Sequence, residues 1–195
     1  MGLTRAGFEV LGVDHDAQPE YPFTFEKRDA LSFTSAWLQR FDLIWASPHC
    51  QRFTAYRRRR DHVGEYPNQI PAVRAMLRAS GVPYIIENVP GAPLENPITL
   101  CGSMFGLDVR RHRMFETSFS VTPPKCDHSI WSPRFPPATN RANLRSTVEV
   151  GVWRIPIETQ RAAMGIGWMS VKKLSQAIQP AYAEWLGRQF LGEPK

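Results

Sequence analysis

Three reactive side chains stand at the ends of short apolar stretches. Asp14 follows residues 7–13, Cys50 lies just beyond residues 41–47, and Glu87 falls near the end of residues 83–89. In an open α/β sheet the ligand crevice lies beyond the carboxyl ends of the strands. Cys50 and Glu87 are 37 residues apart, about one βαβ unit, and neighbouring strands lie about 4.8 Å apart. A thiol and a carboxyl group could therefore face one ligand.

Each of these residues also has a structural interpretation. A single cysteine such as Cys50 is most often a small buried apolar residue. Glu87 could cap a turn or neutralise an arginine, and Asp14 could cap a helix. The basic runs at residues 57–60 and 110–113 could be solvated faces. The residues taken singly leave these alternatives open.

The elements that would position these residues follow from the apolar spacing. Strands are predicted at residues 7–13, around Phe23 and Phe25, at 41–47 and at 83–89. Helices are predicted at residues 30–39, 68–80 with Gly81 as the terminator, 158–164, and 170–191 around Pro180. The strands at 41–47 and 83–89, joined through a helix, form a right-handed βαβ unit and are parallel. The fold class is therefore α/β.

Length and composition limit the classes of protein. The chain has 195 residues, 43% of them hydrophobic, which favours one domain. No apolar run approaches the roughly 20 residues of a membrane span, and residues 1–5 lack the apolar core of a secretory signal. We therefore expect a cytoplasmic protein that does not enter membranes. The net charge of +6 favours a polyanionic partner.

The cysteines indicate neither disulfides nor a metal. There are three, an odd number without a CxxC pair, which fits a reducing compartment. Cys126 and His128 are two candidate ligands without a second pair nearby in the sequence, so no metal site is expected.

Residues 119–157 differ from the rest of the chain. They contain six prolines and no sustained period, which predicts an irregular insert longer than an ordinary loop. Some of its side chains could touch phosphates or base edges: Lys125, His128, Arg134, Asn140, Arg141, Asn143 and Arg145.

Taken together and in this order, the motifs resemble those of the cytosine-5 DNA methyltransferases, in particular the compact enzymes of actinobacteria and their phages. Residues 47–51, Ser-Pro-His-Cys-Gln, resemble the family's Pro-Cys-Gln nucleophile loop. Residues 87–89 match its Glu-Asn-Val motif, and residues 111–113 match its Arg-x-Arg pair. Residues 10–14, 28–31, 163–166 and 175–180 resemble further family segments.

The resemblance implies a Rossmann-like class I methyltransferase sheet. Residues 1–118 and 158–195 would form the catalytic core, and residues 119–157 the target-recognition insert. S-adenosylmethionine would be bound by Asp14, Asp29, Pro48 and Ala177. The chain would act as a monomer on double-stranded DNA in a bacterial host cell, within phage or restriction–modification biology.

The resemblance also implies the chemistry. A thiolate at Cys50 adds to carbon 6 of a flipped cytosine, because carbon 5 is otherwise too poor a nucleophile to take the methyl group. Glu87 would hold ring nitrogen 3, and Asn88 would hold the loop. Arg111 and Arg113 would orient the base, the phosphate or the cysteine loop.

The sequence departs from the family pattern in two places. His49 stands where the family has proline before the nucleophile. No glycine-rich segment precedes Asp14, so the sheet is expected to be N-terminally incomplete, without its central first strand. Residues 1–8 resemble the helix that follows the glycine loop, and we expect a natural product about 20 residues longer.

Two other functions remain open. The chain could be a remnant that binds DNA without methylating it. It could also be a thymidylate-synthase-like enzyme on free nucleotides, which shares the carbon 6 thiol chemistry. That family has a Pro-Cys-His order, whereas this chain has Pro48, His49 and Cys50, and the arginine-rich loop fits a polymer better.

Overall fold

The structure is a computed structural model that describes residues 1–54, 66–129 and 147–193. Within these ranges it contains six strands and six α-helices. The strands are β1 (Leu11–Asp14), β2 (Thr24–Lys27), β3 (Ile44–Ala46), β4 (Tyr84–Asn88), β5 (Ile98–Leu100) and β6 (Arg113–Thr117). The helices are α1 (Gly2–Arg5), α2 (Ser35–Leu38), α3 (Ile70–Ser80), α4 (Ile157–Met164), α5 (Val171–Leu174) and α6 (Pro180–Phe190).

The described strands form two separate sheets. β1 and β2 pair in parallel, and the other four strands form a sheet in the order β3-β4-β6-β5. β3 and β4 are parallel, with Ile44 opposite Tyr84, as the βαβ pattern predicts. β6 runs antiparallel to both of its neighbours. The division between β1 and β3 falls where the resemblance leaves out a central strand.

Helices cover both faces of the four-stranded sheet, so the side chains of β4 alternate between two cores. Tyr84 and Ile86 pack with Val73 and Leu77 of α3. On the other face Ile85 belongs to a core built from these buried residues of β5, β6 and α6: Leu100, Phe115, Tyr182, Trp185 and Leu186. All five residues of β4 are buried, which makes it the central strand of the sheet.

The predicted helix at residues 30–39 is wrong. The chain instead forms a 3-10 turn, Ala30–Ser32, and the short helix α2. The Asp29 side chain caps the first turn by accepting from the Leu31 amide, and the Thr34 side chain caps the second by accepting from Trp37. Serine, threonine and aspartate that bond to nearby amides start new turns and interrupt a longer helix.

The remaining sequence predictions are met in part. The strand predicted at 7–13 is shorter and later, since β1 starts at Leu11. The region predicted as helical at 170–191 divides into α5 and α6, with Pro180 in the first turn of α6. β5 and β6 are elements that the apolar spacing does not predict. Residues 119–129 and 147–156 contain no helix or strand, as expected of the insert.

No helix among the described residues is both long and apolar enough to cross a membrane.

A buried ion pair fastens α3 to β6. The Arg74 guanidinium donates to both carboxylate oxygens of Glu116, over 2.8 and 2.7 Å. The Glu95 amide also donates to Glu116, over 2.8 Å. Burial alone would raise the pKa of Glu116, but the hydrogen bonds from Arg74 and from the Glu95 amide, together with the nearby positive charges, outweigh burial and lower that pKa below its usual value. Such a fully bonded pair fixes how the helix sits on the sheet.

We predict that Arg74→Met destabilises the protein by about 3–5 kcal/mol, because it leaves the Glu116 carboxylate buried without its partner. Since the pKa of Glu116 is depressed, its contribution is present above the unfolded pKa and disappears as the pH falls through the folded pKa. Urea unfolding measures both effects. The matched control is Arg154→Ala at the exposed pair with Glu149, which should cost below about 1 kcal/mol. Equal losses in the two variants would contradict the prediction.

Candidate active site

The loop after β3 is held to the end of β4 by Asn88. Its side-chain amide donates to the Pro48 carbonyl over 2.9 Å, and its oxygen accepts from the Val89 amide over 3.0 Å. Asn88 is fully buried, so each of these polar atoms has a partner where water is excluded. The carboxyl ends of β3 and β4 are therefore joined, and the residues that follow β3 are placed over the end of β4.

A second buried ion pair lies at this rim. Arg113 Nε is 3.1 Å from Glu87 Oε1, and only 11% and 7% of the two side chains are exposed. Glu87 is opposite Phe115 in the β4–β6 register, and Arg113 is two residues from Phe115. The two charges therefore lie diagonally on one face of the sheet. Antiparallel pairing of β6 with β4 positions an arginine that the apolar pattern did not place in a strand.

These groups line a cleft of about 110 Å³. Its walls are formed by eight residues: Ser47, Pro48, His49, Cys50, Gln51, Glu87, Arg113 and Gln176. The structure thus brings the Cys50 thiol, the Glu87 carboxyl group and the Arg113 guanidinium to one small depression. Cys50 is partly exposed and Glu87 is buried, so the thiol is the accessible group and the carboxyl group lies deeper.

Burial changes the acidity of both groups. Burial raises the pKa of the Cys50 thiol, and the negative charge of Glu87 raises it further, against the opposing effect of Arg113. Burial also raises the pKa of Glu87, although Arg113 and a hydrogen bond from Ser47 act to lower it. A carboxyl group with a raised pKa can keep its proton and donate it in a hydrogen bond. Because its pKa is raised, the Cys50 thiol stays protonated until the charges around it change.

Arg111 lies behind the cleft. Its Nη2 donates to the Ser175 carbonyl, and its own carbonyl accepts from the Tyr182 hydroxyl over 2.6 Å. Burial, and then the charge of Arg113, lower the pKa of Arg111 to about 10, so it stays charged at neutral pH. Its Nε is buried without a hydrogen-bond partner among the described residues. The contacts with Ser175 and Tyr182 therefore hold Arg111 in place. Its Nε–H group remains a hydrogen-bond donor without a partner among the described residues.

Asp14, one of the residues expected to bind the cofactor, ends β1, and its carboxylate accepts from the Asp16 amide over 2.9 Å. The His15 ring lies edge-on to the His49 ring, with centroids 5.8 Å apart. The end of β1 therefore meets the loop that carries Cys50, although no described backbone hydrogen bond joins β1 to β3.

The other expected cofactor residues have structural roles. The Asp29 side chain caps a 3-10 turn, and the Pro48 carbonyl accepts from Asn88. The Ala177 amide bonds to the carbonyls of Lys173 and Leu174.

The chemistry of this rim fits the sugar of S-adenosylmethionine in part. The Asp14 side chain is 39% exposed at a strand end, where a carboxylate can accept from two ribose hydroxyls. The other side of a cofactor crevice, a glycine-rich turn, has no counterpart in this sequence. Asp14 is thus the residue that would hold the cofactor.

Sequence reasoning missed several residues of the site. Gln51 lines the cleft, and its Oε1 is buried without a described partner. Gln176 also lines the cleft, and Tyr182 positions Arg111 from α6. Tyr182 was recognised only as part of an apolar helical face, because hydrophobic spacing does not show which hydroxyl reaches a backbone carbonyl.

Sequence reasoning also missed a group of metal ligands. Cys101 and His112 lie beside Cys126 and His128, with one ligand atom from each within 4.8 Å of the others. The expectation of no metal assumed that Cys126 and His128 had no second pair, and the structure overturns that premise.

Some predicted DNA-contacting residues lie outside the described residues. These are the arginine run at 57–60 and, in the insert, Arg134, Asn140, Arg141, Asn143 and Arg145.

Comparison with solved structures identifies similar folds. A protein encoded within an E. coli prophage and described as a DNA modification methyltransferase superposes with a TM-score of 0.61 at 14% identity, over 98% of this chain and 95% of that one. S. pombe Dnmt2 methyltransferase gives 0.58 at 12% identity, over 98% and 93%. A triple mutant of Spodoptera frugiperda DNMT2 gives 0.56 at 16% identity, over 98% and 96%.

The chain shares its fold with these solved methyltransferases. Identities this low show the architecture alone, and the chemistry has to be argued from the site. No protein-family model matches the chain, and no curated protein matches it. The α/β class and the Rossmann-like sheet expected from the sequence are consistent with these neighbours.

The coupling between Cys50 and Glu87 predicts how the thiol reacts. Alkylation of Cys50 by iodoacetamide should be slow at pH 7 and accelerate as the pH rises, because its pKa is raised. Glu87→Gln removes the negative charge that raises this pKa and leaves Arg113 to lower it, so alkylation at pH 7 should become several-fold faster. Mass spectrometry of the Cys50 peptide measures the rate across pH.

The control is Glu158→Gln, which changes a glutamate that is 76% exposed and is absent from the cleft. Its pH profile should match the wild type. Circular dichroism establishes that each variant is folded. A Glu87→Gln profile that coincides with the wild type would show that the carboxylate charge does not reach the thiol.

Proposed function

We propose that this protein is a DNA cytosine-5 methyltransferase that acts through a covalent bond between Cys50 and carbon 6 of cytosine. The observation that carries the proposal is the shared cleft, in which a thiol from the β3 loop and a carboxyl group from β4 face one space. A cleft of this volume is smaller than the roughly 300–1,000 Å³ that hold drug-sized ligands. It suits a single ring better than a whole nucleotide.

Glu87 is suited to bind the edge of that ring. Because burial raises its pKa, the carboxyl group takes up a proton more readily than a solvent-exposed glutamate and can donate it in a hydrogen bond to ring nitrogen 3. A hydrogen bond there draws electrons from carbon 6 and makes it easier for a nucleophile to attack. Arg113, 3.1 Å from Oε1, holds the carboxyl group in one orientation.

Cys50 then gains its reactivity from the same event. While Glu87 is charged, it raises the pKa of the thiol. When Glu87 is protonated and donates a hydrogen bond to ring nitrogen 3, it carries no charge, so that repulsion is absent and the effect of Arg113 favours the thiolate. The Cys50 thiol gives its proton to water, and the sulfur forms a bond to carbon 6 while the electron pair of the C5=C6 bond moves to carbon 5. When carbon 5 has taken up the methyl group, water removes the carbon 5 proton. The electron pair of that C–H bond re-forms the C5=C6 bond as the bond from carbon 6 to sulfur breaks, and the thiolate leaves.

The methyl group has to come from a cofactor bound beside the cleft. When bound, S-adenosylmethionine supplies an electrophilic methyl group for carbon 5. Asp14 would accept from its ribose hydroxyls, and the His15–His49 contact places the end of β1 beside the nucleophile loop. This contact brings Asp14, the proposed cofactor-binding residue, close to the loop that carries Cys50.

A cytosine within duplex DNA cannot present carbon 6 to a thiol, so the substrate base has to be rotated out of the stack. The net charge of +6 and the position of Arg52 two residues after Cys50 fit a partner rich in phosphates. Double-stranded DNA, bound by a monomer, is therefore the proposed partner.

A DNA-binding remnant is the second candidate. The division between β1 and β3 favours it, because the cofactor half of the sheet consists of two half-exposed strands. In this case the protein would bind DNA without binding S-adenosylmethionine.

The covalent step can be tested with a mechanism-based trap. Incubation with S-adenosylmethionine and duplex DNA that carries 5-fluorocytosine should give an adduct that survives denaturation, because fluorine replaces the proton that has to leave. Cys50→Ala should give none. Glu87→Gln should form it about 10²–10⁴ times more slowly, the usual loss when a general acid is removed. Gel electrophoresis under denaturing conditions measures the adduct.

Glu158→Gln is the control and should trap DNA at the wild-type rate. If the wild type and Cys50→Ala behave alike, the proposed chemistry is wrong.

Titration calorimetry with S-adenosylmethionine separates the two candidates. The enzyme should release heat, and Asp14→Asn should bind about 10- to 100-fold more weakly, because it removes charged hydrogen bonds to the ribose. Asp16→Asn, at a carboxylate that is 75% exposed, should bind like the wild type. DNA binding in gel-shift assays without any cofactor heat would establish the remnant instead.

A further inference from the structure

Four metal-ligating side chains from three parts of the chain meet beside the β5–β6 pair. Leu100 and Arg113 are opposite each other in that pair, so the register places Cys101 and His112 as the next neighbours. Cys126 and His128 approach them from the start of the insert. The ligand atoms of all four residues lie within 4.8 Å of one another.

Three distances between ligand atoms can be compared with those around a tetrahedral ion: one is close to the expected separation and two are shorter. His128 Nε2 lies 3.2 Å from Cys101 Sγ and 3.1 Å from Cys126 Sγ, and His112 Nε2 lies 3.6 Å from Cys126 Sγ. Zinc bonds of about 2.3 Å to sulfur and 2.0–2.1 Å to nitrogen place such ligands about 3.6 Å apart at a tetrahedral angle. The two histidine rings meet edge-on, with centroids 5.2 Å apart. Their nitrogens can therefore converge on one point.

We propose that Cys101, His112, Cys126 and His128 bind a structural zinc ion. Two thiolates and two imidazoles in a tetrahedral arrangement are a ligand set that selects zinc over calcium or magnesium, which prefer oxygen. Four protein ligands also leave no open position for a reacting water, so the ion has a structural role.

The surroundings of the sulfurs support thiolate ligands. The Met104 amide donates to the Cys101 sulfur at the start of the 3-10 turn Gly102–Phe105. The Ser103 hydroxyl lies 3.4 Å from Cys101 Sγ and 3.7 Å from Cys126 Sγ. Donors around the sulfurs stabilise their negative charge and orient them. Cys101 is completely buried, which places one ligand on the rigid core of the sheet.

A local hydrogen bond fixes the turn that carries Cys126 and His128. The Asp127 carboxylate accepts from the Ser129 amide over 2.8 Å and thereby fixes the turn between Cys126 and His128. Arg110 Nη2 lies 2.9 Å from His128 Nδ1. When Nε2 of a neutral imidazole binds the ion, Nδ1 carries the proton. Zinc binding therefore requires the Arg110 side chain to turn away from this nitrogen.

Among the described residues there is a second group of possible ligands, Asp14, His15 and Asp16. Its donors are mainly carboxylates with high exposure, and its members have the partners described for the cofactor rim. It provides a useful control, because a metal bound there would not depend on cysteine.

Metal analysis of the full chain tests the proposal. The protein purified under reducing conditions should contain one zinc ion per chain by plasma mass spectrometry. Replacement by cobalt should give the sulfur-to-cobalt charge-transfer bands and the strong visible bands of a tetrahedral thiolate site. Cys126→Ser and His128→Ala should lose most of the zinc, whereas Cys50→Ala and His15→Ala should keep it.

A measurement on the wild type does not depend on whether the variants fold. Removal of zinc with a chelator should lower the melting temperature, and added zinc should restore it with the release of protons from the thiols. The proposal is overturned if the metal content is unchanged in Cys126→Ser, if it falls only in His15→Ala, or if the cobalt spectrum shows octahedral oxygen ligands. These readouts do not depend on methyl transfer, so they remain decisive if the proposed activity is absent.

Discussion

The ion pair between Glu87 and Arg113 is the interaction on which the site depends. It joins β4 to β6 on the face that carries the cleft, and both side chains are buried. Loss of either partner would leave an uncompensated charge in the interior, so each fixes the position of the other. The same carboxylate raises the pKa of Cys50. The ion pair with Arg113 thus orients the Glu87 carboxyl group that would bind the ring. The charge of the same carboxyl group influences the pKa of the Cys50 thiol.

The two halves of the rim are built in different ways. The half around β3, β4 and β6 is held by strand pairing, by Asn88 and by buried ion pairs. The half around β1 and β2 is a separate parallel pair whose residues are at most half-buried. It meets the loop that carries Cys50 through the side chains of His15 and His49. The half around β3, β4 and β6 is therefore firmly held, whereas the placement of the half around β1 and β2 depends on weaker contacts.

The features that were predictable from the sequence are those with strong local signals. The strands β3 and β4, the helix α3 and its terminator Gly81, which has a φ of 71°, follow from apolar runs and turn chemistry. The β5–β6 pair was missed, because β5 has three residues and β6, with the sequence Arg-Met-Phe-Glu-Thr, shows neither an apolar run nor a strict alternation. The site residues at strand ends were predictable, because parallel strands share a functional edge. The roles of Gln176 and Tyr182 were not predictable from the sequence, because their contacts join segments that are distant in sequence.

The Arg-x-Arg segment connects the cleft with the proposed zinc site. Arg111 and Arg113 lie near Cys50 and Glu87, and their charges act on both groups. His112, between them, points instead to Cys126 and His128. An ion held by His112 would fix the backbone of both arginines, since neighbouring residues share their peptide planes. The same ion would anchor the beginning of the insert. The position of the recognition segment and the geometry of the base-binding cleft would then be set by one residue.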